Sequence, residues 1–115
     1  MCTVTDSFSY HITGKGYSMK KITIKNTDLE LSPMGMGCVN AGIKWDGEDA
    51  FRIFDAFLDM GGTVYDTARV YADWIPPEIG RSERVLGQWL HKSGKRHDII
   101  LVSKGGHPDM TPAVP

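Results

Sequence analysis

The hydrophobic period changes several times along this chain. Residues 21–25, KITIK, alternate apolar and polar side chains, as a half-buried strand does. Asn26-Thr27-Asp28 supplies turn chemistry. Residues 29–31, LEL, return as a second short strand, so the two predict a hairpin that Pro33 ends. Residues 34–39, MGMGCV, read as a short apolar strand interrupted by Gly35 and Gly37. The period then lengthens: Ala50, Phe51, Phe54, Phe57 and Leu58 fall on one face at helical spacing. Asp46 can cap that helix, Glu48 and Asp49 place negative charge in its first turn, and Gly61-Gly62 stop it. Residues 63–65, TVY, form a strand ending at Asp66. A loop with Pro76-Pro77 follows, and then a helix over residues 82–92 that buries Val85, Leu86, Trp89 and Leu90 and stops at Gly94. Residues 98–103, DIILVS, make a continuous apolar strand that leads into Lys104. Such strands are typical of parallel sheets covered on both faces.

The order hairpin, β, α, β, α, β implies right-handed βαβ crossovers and a parallel sheet, an α/β fold. Residues 1–18 are polar, turn-rich and unpatterned, and read as a flexible leader. Met19-Lys20-Lys21 opens directly onto the first strand, which makes Met19 a candidate start. The patterned unit spans residues 19–107, and residues 108–115 read as a truncated polar tail.

Composition narrows the function classes. A length of 115 residues is about one domain, and 41% hydrophobic with 23% charged residues is an ordinary globular balance. A formal net charge of −1 gives no pull toward nucleic acid or an anionic membrane. The Lys95-Arg96-His97 cluster reads as a solvated turn. No apolar run approaches the ~18 residues of a membrane span, and the first residues lack the apolar core of a secretory signal. Cys2 and Cys38 stand in no metal spacing and nothing calls for a disulfide between them, which favours a reduced, cytosolic chain. The four histidines are scattered, so no metal site is expected.

The candidate chemistry lies at strand ends. Asp66 closes one parallel strand and Lys104 the next. If those strands are neighbours, about 4.8 Å apart, both side chains emerge at one carboxyl edge. Tyr71 belongs to the loop above that edge, where α/β folds place active sites. A free tyrosine, with a pKa of about 10, is a poor acid at neutral pH. A nearby ammonium favours the phenolate, and a carboxylate keeps that ammonium charged. The result is a tyrosine able to pass a proton to a substrate oxygen, as carbonyl reduction requires. Taken singly, each residue also reads as a surface charge, a loop aromatic or a solvated strand end.

These residues carry a resemblance. GGTVYDTARVY, residues 61–71, resembles the D-T-A-x-x-Y signature of the aldo-keto reductases. MGMGC (34–38), SERVLGQWL (82–90) and IILVSK (99–104) resemble that family's first strand, second helix and third strand, in the right order. The resemblance implies an incomplete (β/α)8 TIM barrel: an N-terminal hairpin, the first three parallel strands and two helices. It implies an NAD(P)H-dependent reductase of small-molecule aldehydes or ketones, with NADPH the usual cofactor and NADH possible. Tyr71 is then the general acid, Lys104 lowers its pKa, and Asp66 pairs with Lys104. Gly37, Cys38 and Val39 are implied to lie beneath the nicotinamide and ribose, with Asp66 beside them, and Trp74 to line the pocket. The family's fourth catalytic residue, a histidine after the fourth strand, falls beyond residue 115, and His107 is too close to Lys104 to replace it. A full barrel needs about 250 residues, so the third strand is expected to be an uncovered edge and the chain alone to be inactive.

Two other readings stay open on sequence. Gly35-Met36-Gly37-Cys38-Val39-Asn40 after a strand imitates a Rossmann-like dinucleotide-binding module, although the third glycine is absent and the helix starts late. A non-catalytic, reductase-like regulatory subunit is the other, and it leaves the trio Asp66, Tyr71 and Lys104 without a purpose.

Overall fold

The computed structural model describes residues 11–12 and 17–108. Most of the stretch read as a leader lies outside the described residues, as does Cys2. Within that stretch, β1 (His11–Ile12) pairs antiparallel with β2 (Tyr17–Ser18). The expected hairpin follows, with β3 (Ile22–Thr23) antiparallel to β4 (Glu30–Leu31). Asn26 takes the left-handed conformation in its turn, at φ 64°. Short asparagine side chains tolerate that region better than most residues.

Buried Ser32 ties the hairpin to the sheet. Its backbone N–H donates to Thr63 Oγ1 at 3.1 Å. Its hydroxyl accepts from Thr63 N at 2.9 Å and donates to Met34 O at 2.6 Å. Three parallel strands come next in space: β5 (Gly35–Gly37), β6 (Val64–Asp66) and β7 (Ile100–Val102), in the order β5-β6-β7. Their register aligns Gly37 with Asp66 and Asp66 with Val102. Among the described residues β7 is an edge, as expected. It starts later than its apolar run predicts, because Asp98 belongs to a 3-10 turn over Lys95–Asp98. Gly94 ends the preceding helix in the left-handed region at φ 69°, and the charged KRHD run stays at the surface until Ile99 turns inward.

Helices α1 (Gly47–Asp59) and α2 (Arg81–Ser93) cover one face of the sheet. α1 buries Ala50, Phe54 and Phe57, and α2 buries Val85, Leu86 and Trp89. Tyr65 enters this layer from β6. Its ring centroid lies 5.9 Å from that of Phe54, 5.4 Å from Phe57 and 5.2 Å from Trp89. Its hydroxyl donates to Phe54 O at 2.8 Å, and burial pushes its pKa upward. The other face is not covered: Gly35, Gly37 and Val102 are exposed. The expectation of a sheet covered on both faces therefore fails for the described residues. The apolar run reads as continuous because Ile99 and Leu101 pack into the helix layer while Ile100 and Val102 face away.

Two contacts fix where α1 begins and ends. Asp46 Oδ1 accepts from Gly47 N at 2.7 Å, and its carboxylate takes Arg84 of α2 at 2.9 and 3.2 Å. At the other end Met60 N donates to Ala56 O at 3.1 Å and Gly62 N to Phe57 O at 3.0 Å; a Cβ on Gly62 would lie 2.3 Å from the Phe57 ring, so no larger residue fits there without displacing it.

Gly62→Ala is accordingly expected to cost about 1–3 kcal/mol by overpacking, read as a lowered urea midpoint. A second expectation concerns acid. Asp55 titrates below the usual carboxylate range, foremost because Lys95 hydrogen-bonds it at 2.8 Å. A depressed folded pKa gives stability that is present above the unfolded value of about 4 and is lost as pH falls through the folded one. Asp55→Asn should therefore flatten the fall of the urea midpoint below pH ~4.

Candidate active site

Alternation along β6 decides which way its polar end points. Tyr65 goes to the helices, so Asp66 faces the open side. Lys104 lies two residues past Val102, the register partner of Asp66, and so shares its side of the sheet. The strand pairing continues past the regular ladder: Thr67 N donates to Val102 O at 2.8 Å and Arg69 N to Lys104 O at 3.0 Å. Lys104 Nζ then donates to Asp66 Oδ1 at 2.7 Å and to Thr67 O at 2.8 Å. The same ammonium stands 4.8 Å from the centroid of the Tyr71 ring, a cation–π distance. The Tyr71 hydroxyl points to Asp66 Oδ2 at a long 3.5 Å. The hydrogen bond to Asp66, foremost, holds the Lys104 pKa above the ordinary lysine value, so the ammonium is charged at neutral pH. With side chains 39% and 48% exposed, Asp66 and Lys104 are open to a ligand.

The structure thus brings Asp66, Tyr71 and Lys104 together at one edge. It divides the other expected residues. Gly37 and Val39 are exposed at the same edge, and Cys38 N donates to Asp66 O at 2.8 Å. The Cys38 side chain goes the other way, fully buried, with its thiol on Met36 O at 3.6 Å. Burial, with the Asp66 charge second, pushes that thiol up to about 12. Cys38 therefore offers only backbone to a ligand. Trp74 is exposed in the loop past Tyr71. His107 is exposed, its Nδ1 at 2.7 Å from Pro108 O.

Three supporting residues escaped the sequence reading. Buried Ser82 donates its hydroxyl proton to Cys38 O at 2.8 Å. A hydroxyl has one proton to give, so Thr67 must be the donor in its 2.7 Å bond to Ser82 Oγ. Together they lock the ends of β5 and β6 to the start of α2. Asp73 is the third. Its buried carboxylate accepts from Gly80 N at 2.5 Å and pairs with the Arg69 guanidinium. The only sequence signal for it was the four-residue spacing to Arg69, in a segment with no helical pattern.

A sequence model of the Aldo/keto reductase family matches residues 33–114, a span that includes Gly37, Asp66, Tyr71 and Lys104. The chain belongs to the aldo/keto reductase family. An aryl-alcohol dehydrogenase [NADP(+)] of Phanerodontia chrysosporium is 33% identical over 84 residues, covering 66% of this chain and 20% of that protein. An uncharacterised 11.2 kDa protein of Pseudescherichia vulneris is 35% identical over 86 residues, covering 73% of this chain and 84% of that one. Among solved structures, the holo form of an aldo-keto reductase from Bacillus halodurans superposes with a TM-score of 0.61 at 36% identity, over 76% of this chain and 26% of that chain. The chain thus spans about a quarter of the length of the solved reductase. Aldo-keto reductases are TIM barrels, and this one shows the expected N-terminal hairpin, three parallel strands and two helices of that fold. In a barrel the helices lie outside, so the open face of the sheet is the barrel's inner face. Membership of this oxidoreductase family also displaces the Rossmann-like reading.

The burial of Cys38 has a direct chemical consequence. Iodoacetamide at pH 8 should leave Cys38 unmodified in the folded chain and alkylate it in urea, as peptide mapping would read. Rapid alkylation without denaturant would show the side chain to be outside the core.

Proposed function

We propose that this chain is the N-terminal part of an NAD(P)H-dependent aldo-keto reductase that reduces an aldehyde or ketone to an alcohol. The observation that carries this is the convergence of Asp66, Tyr71 and Lys104, with one ammonium bonded to the carboxylate at 2.7 Å and 4.8 Å from the phenol ring. Tyr71 donates the proton to the carbonyl oxygen. Lys104 stabilises the phenolate left behind, and Asp66 keeps Lys104 charged and in place. A partly exposed lysine–carboxylate pair adds little to stability, so its placement under a phenol is better explained by chemistry than by folding.

The residues at the edge suit a nicotinamide cofactor. Gly37 is exposed opposite Asp66, and nothing stands within 4 Å of where its Cβ would be, which leaves room for a ribose or nicotinamide against the backbone. Gly37, Val39, Asp66 and the backbone of Cys38 would hold that part of the cofactor. When bound, the cofactor supplies the hydride. NADPH is the first choice, since one relative bears NADP(+) in its name, and NADH the second. The free Cys38 thiol suits a reducing cytosol. The histidine that completes the family's catalytic set and the adenosine site belong to later barrel segments, so these 115 residues alone are expected not to oxidise NADPH with an aldehyde.

Tyr71→Phe tests the mechanism in a protein that carries the whole barrel. The rate of reduction should fall at least about 100-fold, with NADPH affinity unchanged, because only a proton donor is removed. An undiminished rate would remove Tyr71 from the chemistry.

A further inference from the structure

We infer that Asp73 is a positioning residue that holds Tyr71 against Lys104, an inference that rests on the reductase reading of Tyr71. Tyr71 sits between β6 and α2, in a segment with no helix or strand to fix it. What fixes it is a set of hydrogen bonds that closes around it. On the near side, Arg69 N donates to Lys104 O at 3.0 Å, which anchors the start of the loop to the end of β7. Tyr71 N donates to Ala68 O at 3.2 Å, and Asp73 N to Val70 O at 3.1 Å. On the far side the Asp73 carboxylate joins both ends. It pairs with the guanidinium of Arg69, two residues before the tyrosine, and accepts from Gly80 N, at the start of α2, at 2.5 Å.

The burial pattern shows that this carboxylate is no surface charge. The Asp73 side chain is 2% exposed, and that of Arg69 43%. A loop carboxylate this deep persists only with its charge and lone pairs satisfied. Between Tyr71 and Asp73, Ala72 is fully buried at φ 73°, a left-handed conformation that alanine avoids. Such a residue keeps that conformation only when its surroundings impose it. Asp73 is the adjacent group whose side-chain bonds join the two ends of the loop, Arg69 and Gly80. Ala72 turns the chain directly after Tyr71, so the bonds of Asp73 fix the direction from which the phenol reaches Lys104. Gly80, which α2 leaves without a side-chain cap, passes the constraint to Ser82 and so to Cys38 O.

The test uses the 115-residue chain and needs no catalysis. Lys104 lies over the Tyr71 ring, so its ε-methylene protons should show an upfield ring-current displacement by NMR. Tyr71→Leu gives the reference without a ring. Asp73→Ala, which loses both partners, should bring the Lys104 resonance to the Tyr71→Leu position while the amide resonances of β5, β6 and β7 stay in place. Asp73→Asn, which keeps an acceptor for Gly80 N and loses the ion pair, should fall between. Full ring-current displacement in folded Asp73→Ala overturns the inference. If Asp73→Ala does not fold, Asp73→Asn decides: a reduced displacement supports the inference and an unchanged one overturns it. In a protein carrying the whole barrel, Asp73→Ala should lower kcat roughly 10- to 100-fold with NADPH affinity unchanged. Lost ring current with unchanged kcat would refute the role of Tyr71 and leave the hold of Asp73 standing.

Discussion

The site depends on where one side chain, Tyr65, is buried. Its ring is packed between Phe54, Phe57 and Trp89, and its hydroxyl finds the carbonyl of Phe54. A buried phenol without that acceptor would carry a substantial desolvation cost, so β6 has one acceptable orientation. A strand has a period of two, and Asp66 must then face the opposite side. The parallel register with β7 brings Lys104 to the same side, two residues beyond Val102. A slip of one residue would bury the carboxylate among aromatics and expose the tyrosine. Hydrophobic packing on one face thus dictates electrostatics on the other.

Thr67 connects these two regimes. Its carbonyl accepts the second hydrogen bond of Lys104 at 2.8 Å, so the ammonium is held by backbone as well as by Asp66. Its hydroxyl, meanwhile, enters the buried relay through Ser82 to Cys38 O. The lysine is therefore oriented by a group that is itself locked to the start of α2. Hydrogen bonds on either side of Thr67 do different work: those above set the direction of a charge, and those below set the spacing of strand and helix.

Much of this was legible in the sequence, for a physical reason. Helices, hairpin and strand order leave a period, and both helices sit where Phe54, Phe57, Val85 and Trp89 repeat. Asp66, Tyr71 and Lys104 were legible because strand ends are defined by that period, and parallel neighbours bring their ends to one edge. Asp73, Thr67 and Ser82 were not. Each acts through hydrogen bonds or an ion pair whose partners include a group made close only by folding, and such bonds have no repeat. Position 98 misled for a related reason: Asp98 borders an apolar run, yet the Gly94 turn keeps it in a 3-10 segment. The burial of the Cys38 side chain could not be read from the sequence, because a three-residue strand with two glycines hardly shows which face is which.

The aromatic layer also divides the chain by how easily its parts open. Phe54, Tyr65 and Trp89 each touch the other two, and they come from α1, β6 and α2, so none of these elements can detach without uncovering the others. They form one unit of local unfolding. The hairpin stands outside it, with Ile22, Ile24 and Leu29 exposed and its hold on the sheet concentrated at Ser32 and Thr63. Amide exchange is therefore expected to begin at the hairpin, the end of the sheet opposite the carboxyl edge. The edge that carries Asp66 is rooted in that aromatic unit, and Asp66 and Thr67 O tie Lys104 to it.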